Sequence, residues 1–282
     1  MPESPAPFSW VGGKTLMLRH IIPLMPSHRN YVEVFGGSAT LLFAKKPCIG
    51  VEVYNDIDSG LVNFFRVLRD PQKYKRLKEL LYYTPYAREE FDWAKATIEN
   101  EGDDIVKAYK WFILARMAFS GYWGGAWARH NDKRGTGTYA SFTWRRTIDR
   151  LPEFHARIRN VQVDNKDFRD IITFYRAGGT LLYCDPPYME DTQIVGNVYR
   201  YNMTEQDHID LLNILIEYPE MVILSAYDND LYDRTLLDAG WVKQEFPVAF
   251  RFKLGADRAR LSIIWRNPVA VDNLDGDKVK LF

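Results

Sequence analysis

The stretch "LLYCDPPYME", residues 181–190, carries an apolar run straight into Asp185-Pro186-Pro187-Tyr188. Ligands of open parallel sheets bind at the carboxyl ends of strands, so a polar tetrapeptide placed there is a candidate site. Two prolines fix the backbone, remove two N–H donors and leave the Pro186 carbonyl free as an acceptor. Asp185 offers carboxylate oxygens and Tyr188 a flat aromatic face. The set suits a planar group bearing an –NH2, such as adenine, whose amino nitrogen is a poor nucleophile because its lone pair is delocalised into the ring. Two acceptors, the Asp185 carboxylate and the Pro186 carbonyl, can hold both amino hydrogens and favour a pyramidal nitrogen. An electrophile in line within about 3–3.5 Å then suffices, with no covalent enzyme intermediate. A sulfonium methyl donor meets that need.

Such a site needs a sheet to position it. "YVEVF" at 31–35 reads as a strand, followed by Gly36-Gly37-Ser38-Ala39-Thr40 and a helix-like "LLFA". Strand, glycine turn and helix open a nucleotide-binding α/β unit. A second strand, "IGVEVYN" at 49–55, runs into Asp56, 20 residues after Gly36. That is where such folds hold a ribose hydroxyl pair. Later strands are expected at 161–165, 180–185, 221–227 and 261–265, with a helix from Glu205 capped by Thr204 and carrying Asp207 in its first turn. Between them, from Ser59 to about Phe119, apolar residues recur near a 3.6 period and predict helices. The following "SGYWGGAWARHNDKRGTGTYASFTWRR" reads as loop or hairpin. An α/β pattern that is interrupted and then resumes predicts an insertion at 60–159 within one domain made of 1–59 and 160–282.

The early "SWVGGKTL" resembles a phosphate-binding loop only superficially. The first glycine of that loop would fall at position 8, which is Phe8, and the preceding "MPESPAP" is no strand. Two cysteines, Cys48 and Cys184, form no CxxC pair and point to no disulfide framework. Neither a signal peptide nor a membrane-spanning run is indicated, and a cytoplasmic location is expected. No metal is expected. With 37 basic and 37 acidic side chains the net charge is zero, which argues against a nucleic-acid binder until the distribution is read. Arg116, Arg129, Lys133, Arg134, Arg145 and Arg146 stand against a single acid, Asp132, between positions 116 and 146.

These motifs together resemble the Dam-type family of AdoMet-dependent DNA adenine methyltransferases, in which DPPY is the catalytic signature. The resemblance covers almost the whole chain. It implies a class I methyltransferase fold, Rossmann-like and mostly parallel with helices on both faces, carrying an inserted target-recognition region. It implies S-adenosyl-L-methionine as cofactor and double-stranded DNA as partner, and leaves oligomeric state open. Trp10-x-Gly-Gly-Lys14 is similar to the family's N-terminal cofactor motif, so Lys14 would serve the AdoMet pocket. "VEVFGGSAT" resembles the cofactor loop Phe-x-Gly-x-Gly, with Ala39 or Ser38 at the second glycine position. The cofactor set is then Trp10, Lys14, Glu33, Phe35, Gly36, Asp56, Asp167, Phe168 and Asp185, and the catalytic set Asp185, Pro186, Pro187 and Tyr188.

A base inside a duplex must be flipped out to reach such a pocket. Tyr122, Trp123, Trp127 and Trp144 are candidate wedges or stacking surfaces, with Arg116, Arg129, Lys133, Arg134 and Arg145 as phosphate or base contacts. The segment 189–203 is a candidate lid, with Tyr199 and Tyr201 able to touch the flipped base. Structural readings stand beside these: Asp167 as a helix cap, Phe168 as core, Asp207 and His208 as framework. Related tetrapeptides act on RNA guanine or protein glutamine amides, and a non-catalytic DNA-binding regulator is a third alternative. Carbon-5 cytosine methylation is disfavoured, since it needs a nucleophilic Cys, typically followed by Pro, and Cys184 is followed by Asp185.

Overall fold

The computed structural model describes residues 5–10, 12–119, 122–129, 140–189, 201–249 and 259–279. Its strands are β1 (Asn30–Glu33), β2 (Glu52–Asn55), β3 (Gln162–Asp164), β4 (Thr180–Cys184), β5 (Met221–Tyr227), β6 (Val242–Ala249) and β7 (Ala259–Arg266). Its α-helices are α1 (Leu18–Ile21), α2 (Thr40–Ala44), α3 (Ser59–Arg69), α4 (Pro71–Tyr83), α5 (Arg88–Thr97), α6 (Asp104–Met117), α7 (Ala140–Asp149), α8 (Leu151–Ile158), α9 (Phe168–Phe174), α10 (Glu205–Ile216), α11 (Asp230–Asp238) and α12 (Pro268–Val279). The chain forms two compact units, one of residues 1–13, 37–44 and 58–165, the other of 14–36, 45–57 and 166–282.

The second unit is built on a sheet with strands in the order β2-β1-β4-β5-β7-β6. β2, β1, β4 and β5 are parallel, and the β7 and β6 pairings are antiparallel. β1, β2 and β4 are short and buried along nearly their whole length, as central parallel strands must be. Val32, Val34, Val53, Leu182, Val222 and Ile263 share one core with Phe168 and Ile171 of α9 and Leu211 and Leu212 of α10. Thr204 caps α10 in a full capping box with Asp207. Among the described residues β6 pairs with β7 alone, an edge position that tolerates Pro247 within it.

A buried ion pair belongs to this unit. Lys45 Nζ lies 2.6 Å from Glu52 Oε1, with side chains 4% and 7% exposed, and sits over the Tyr31 ring. Lys45→Met would strand the Glu52 carboxylate. The expected loss is about 3–5 kcal/mol of unfolding free energy, the usual cost of breaking a buried pair from one side. Urea denaturation of the variant checks this, and an unchanged midpoint would refute it.

Aspartates set the helices of the first unit. Asp58, Asp70 and Asp103 each accept two backbone N–H bonds at the starts of α3, α4 and α6, satisfying donors that a helix N-terminus leaves open. Inside lies an aromatic core: Phe64 stacks on Phe112 at 5.2 Å, and Phe8 meets Trp111 edge-on at 4.9 Å. α6 is buried nearly all round, with residues 111–115 all apolar.

Two expectations are corrected. The end of the segment read as loop or hairpin, from Ala140, is the helix α7. Trp144 and Ile148, four residues apart, are both buried, so tertiary packing of one face outweighs the weak local propensity. The hairpin reading survives only upstream, where Ala118 and Trp127 form an antiparallel bridge. β6 was also absent from the expected strands.

Candidate active site

The register explains how separate stretches reach one edge of the sheet. Glu33 pairs with both Tyr54 and Tyr183 across parallel strands. Phe35, Asp56 and Asp185 each follow that row by two residues, so all three emerge at the carboxyl edge, where ligands of such sheets bind. Asn55 ties the edge together. Its side-chain nitrogen donates to the carbonyls of Val34 (2.9 Å) and Lys166 (3.1 Å), and its oxygen accepts from the Lys166 N–H (2.9 Å). The neighbouring asparagine thus fixes the loops beside Asp56, a role that spacing alone did not reveal.

Asp185 is engaged by two groups. Lys14 Nζ lies 2.6 Å from Oδ1, and the Tyr188 hydroxyl donates to the same oxygen at 3.5 Å. Lys14 also donates to the Tyr188 hydroxyl at 2.5 Å, and its ammonium is 5.1 Å from the Tyr188 ring centroid. Both of these contacts fall on Oδ1. Burial pushes the Asp185 carboxyl above its ordinary value, while the Lys14 ammonium and the Tyr188 hydroxyl pull the other way. The ion pair keeps a carboxylate available in a place that would otherwise favour the acid. Lys14, expected at the cofactor, therefore has its ammonium on the DPPY motif.

Tyr188 is buried, its ring 4.0 Å from that of Tyr227, the last residue of β5. Tyr227 closes an apolar run, and nothing in its sequence context marked it. Pro186 is buried and Pro187 half-buried. Glu33 is 2% exposed and accepts a hydrogen bond from Tyr31, so its carboxylate is held within β1. Phe35 lies against Phe168, ring centroids 5.7 Å apart. Asp167 caps α9 through the Arg169 N–H. Arg169 also binds Asp207 and Asp210 at the start of α10, and this holds the Asp207 carboxyl down to about 2. His208 is buried and pushed down to about 4 by desolvation, hence neutral, with Nδ1 2.9 Å from the Tyr232 hydroxyl.

The glycines after β1 are required by contact and by conformation. A Cβ on Gly36 would overlap the buried Tyr54 ring. Gly37, at φ +49, would bring a Cβ to 2.9 Å from Trp10 Cδ1. Ala39, at φ +56, is the residue that takes the left-handed conformation at the second glycine position of the loop. Backbone stripped of side chains at a strand end permits the close approach of a ligand. Gly36→Ala must displace Tyr54. We expect a loss of roughly 1–3 kcal/mol of stability and weakened AdoMet binding, measured by denaturation and calorimetry; wild-type values on both would refute the close-packing argument.

In the first unit, Gly12 sits at φ +74 and the Gly13 N–H donates to the Trp10 carbonyl (3.0 Å). Trp10 stacks on Trp111 at 5.8 Å. Of the expected DNA-contacting residues, Tyr122, Trp123 and Trp127 are half-buried and Arg129 and Arg145 exposed. Arg116 donates to the Thr143 carbonyl, and burial pulls its guanidinium down to about 10. Trp144 is a correction: at 2% exposure, with its indole N–H on the Thr84 carbonyl, it is core and offers no face to a duplex. Lys133, Arg134, Tyr199 and residues 190–200 of the expected lid lie outside the described residues. Tyr201 is 40% exposed.

A mostly parallel sheet with a glycine turn after β1, an acid after β2 and Asp-Pro-Pro-Tyr after β4 defines a class I methyltransferase fold with an amino-group site. The profile of the D12 class N6 adenine-specific DNA methyltransferases matches residues 10–248, and the chain belongs to that family. It is 27% identical over 194 residues to the Type II methyltransferase M1.LlaDCHI of Lactococcus lactis subsp. cremoris, covering 65% of this chain and 66% of that protein. It is 26% identical to a DNA adenine methylase of Vibrio cholerae, covering 67% of this chain and 66% of that one. It is 25% identical to the DNA N-6-adenine-methyltransferase of Escherichia phage P1, covering 64% of this chain and 24% of the phage protein. The matches thus span slightly less than two thirds of two of these relatives and about a quarter of the third.

Proposed function

We propose that this protein transfers a methyl group from S-adenosyl-L-methionine to the N6 amino group of a flipped-out adenine in double-stranded DNA. The observation that carries the reading is the Lys14–Asp185–Tyr188 cluster at the end of β4. Asp185 Oδ2 and the Pro186 carbonyl accept the two amino hydrogens of the adenine. Lys14 anchors Oδ1, holds the carboxylate ionised and fixes its orientation. Prolines at 186 and 187 exclude competing N–H donors from the acceptor pair. Phe35, Gly36 and Asp56 form the cofactor side, with Glu33, Asp167 and Phe168 supporting it and Trp10 assigned by the family motif. AdoMet supplies the electrophilic methyl. The amino proton leaves to solvent after transfer.

Tyr122, Trp123, Trp127, Arg116, Arg129, Lys133, Arg134 and Arg145 are proposed for the DNA, at a flipping cost of a few kcal/mol offset by stacking and phosphate contacts. The names and sources of the relatives favour action on cellular or phage DNA, and we place the protein in the cytoplasm. Among the described residues no helix is long and apolar enough to cross a membrane, and no group of three side chains can hold a metal ion. Incubation with methyl-labelled AdoMet and unmethylated DNA tests the reading. Label in the DNA is the expected result; label confined to RNA or protein would move the substrate to one of the alternatives.

A further inference from the structure

Beside the expected DNA-contacting residues lies a cleft of about 350 Å³ in the first unit, lined by Tyr82, Tyr83, Pro85, Tyr86, Ser141 and Arg145. Its size is that of a small-molecule pocket. Its walls are fixed. Trp144 of α7 donates to the Thr84 carbonyl at 3.0 Å, and Arg145 donates to the Tyr82 carbonyl at 3.0 Å, so α7 is tied to the end of α4 on both sides of the cleft. Thr84 is itself held by the Leu80 carbonyl and the Tyr109 hydroxyl.

The lining is chemically one-sided. It carries one cation and no acid, and its surfaces are aromatic. Tyr82 is 48% and Tyr83 77% exposed, unusual for neighbouring aromatic rings. The two stand edge to face at 5.2 Å, so their ring planes are near perpendicular. The Arg145 guanidinium lies 5.3 Å from the Tyr82 centroid. Aromatic faces interleaved with arginine are what proteins present to unstacked nucleic-acid bases, the rings taking the base and the cation its phosphate. A flat base covers exposed aromatic rings while its phosphate meets the cation, a pairing that an aliphatic or acidic side chain alone does not make. The cleft is also continuous with the hairpin: the Tyr86 hydroxyl donates to the Ala128 carbonyl at 2.7 Å, and its ring lies 5.6 Å from that of Trp127.

We propose that this cleft is a nucleobase-stacking subsite, in which a DNA base outside the methylation pocket rests on Tyr82 and Tyr83 while Arg145 engages its phosphate. The assignment rests on the DNA methyltransferase reading and extends it to residues of α4 that neither the motifs nor the charge pattern singled out. Tyr82 and Tyr83 are exposed, so their replacement leaves the fold intact, which thermal unfolding of each variant confirms.

The test compares the wild type with Tyr82→Ala/Tyr83→Ala and Tyr82→Phe/Tyr83→Phe. DNA affinity is read by fluorescence polarisation, AdoMet affinity by calorimetry and kcat at saturating DNA. The alanine pair is expected to weaken DNA binding roughly ten-fold or more, with AdoMet affinity and kcat within about two-fold of wild type. The phenylalanine pair is expected to restore affinity, because stacking needs the ring and not the hydroxyl. DNA carrying 5-iodo-deoxyuridine should cross-link to the peptide containing Tyr82 and Tyr83. Unchanged DNA affinity in the alanine pair, or failure of phenylalanine to rescue, overturns the subsite while methylation by the wild type still stands. A wild type that methylates no DNA overturns the parent reading instead.

Discussion

Replacing Asp185 by alanine is expected to lower kcat for methyl transfer roughly a hundred- to a thousand-fold, the usual consequence of removing one preorganised electrostatic partner of a reacting group. The amino group would keep the Pro186 carbonyl but lose its second acceptor, and the nitrogen lone pair would stay in the ring. AdoMet binding should change only a few-fold, since Phe35, Gly36 and Asp56 are untouched. The variant also removes the carboxylate that balances the Lys14 ammonium, whose side chain is 6% exposed, so its thermal midpoint should fall while its circular dichroism stays native. Asp185→Asn keeps one acceptor oxygen and is expected to fall between the two. Single-turnover rates measured with saturating AdoMet separate chemistry from binding. Full activity in the alanine variant would remove Asp185 from the reaction.

Lys14→Met should produce the second-largest effect, and its signature is a pH profile. In the native protein, burial already raises the Asp185 carboxyl above its ordinary value, and Lys14 is the main opposing influence. Without the ammonium the pKa rises further, so the acid limb of kcat against pH moves to higher pH. Stability follows the same direction. A carboxyl whose pKa is raised on folding contributes stability that is full below its unfolded pKa and lost as pH rises through its folded pKa. The methionine variant should therefore be less stable than wild type at neutral pH and recover as pH falls. Lys14→Arg keeps the charge and is expected to hold the limb near its wild-type position. A purely cofactor-binding Lys14 would instead raise the KM for AdoMet and leave the limb in place.

The sequence exposed the elements whose local signal and tertiary role agree. "MVILSAY" is β5 from end to end, because an unbroken apolar run bounded by Glu220 and Asp228 has one stable use in a parallel sheet. β4 and the position of Asp185 just beyond it were legible for the same reason. α7 was not, because "ASFTWRR" is rich in β-branched and aromatic residues, and only burial of Trp144 and Ile148 makes it helical. β6 was hidden by Lys243, Gln244, Glu245 and Pro247, residues that an edge strand accepts and a central one would not.

At the site, motifs singled out candidate residues and missed who their partners are. Lys14 lies 171 positions from Asp185 in the chain, and no spacing rule could join them. The structure does so through the 2.6 Å ion pair. Trp144 shows the converse limit. Its place among arginines suggested a surface for DNA, while its indole N–H is spent on the Thr84 carbonyl inside the unit.

The central claim is that Asp185 and the Pro186 carbonyl present an adenine amino group for methylation. Mass spectrometry of nucleosides from DNA incubated with AdoMet and the wild-type protein, beside the Asp185→Ala protein, tests it most directly. N6-methyldeoxyadenosine with the wild type, lost with the variant, is the result this account requires. A different methylated nucleoside, or N6-methyldeoxyadenosine at equal rates from both proteins, would contradict it.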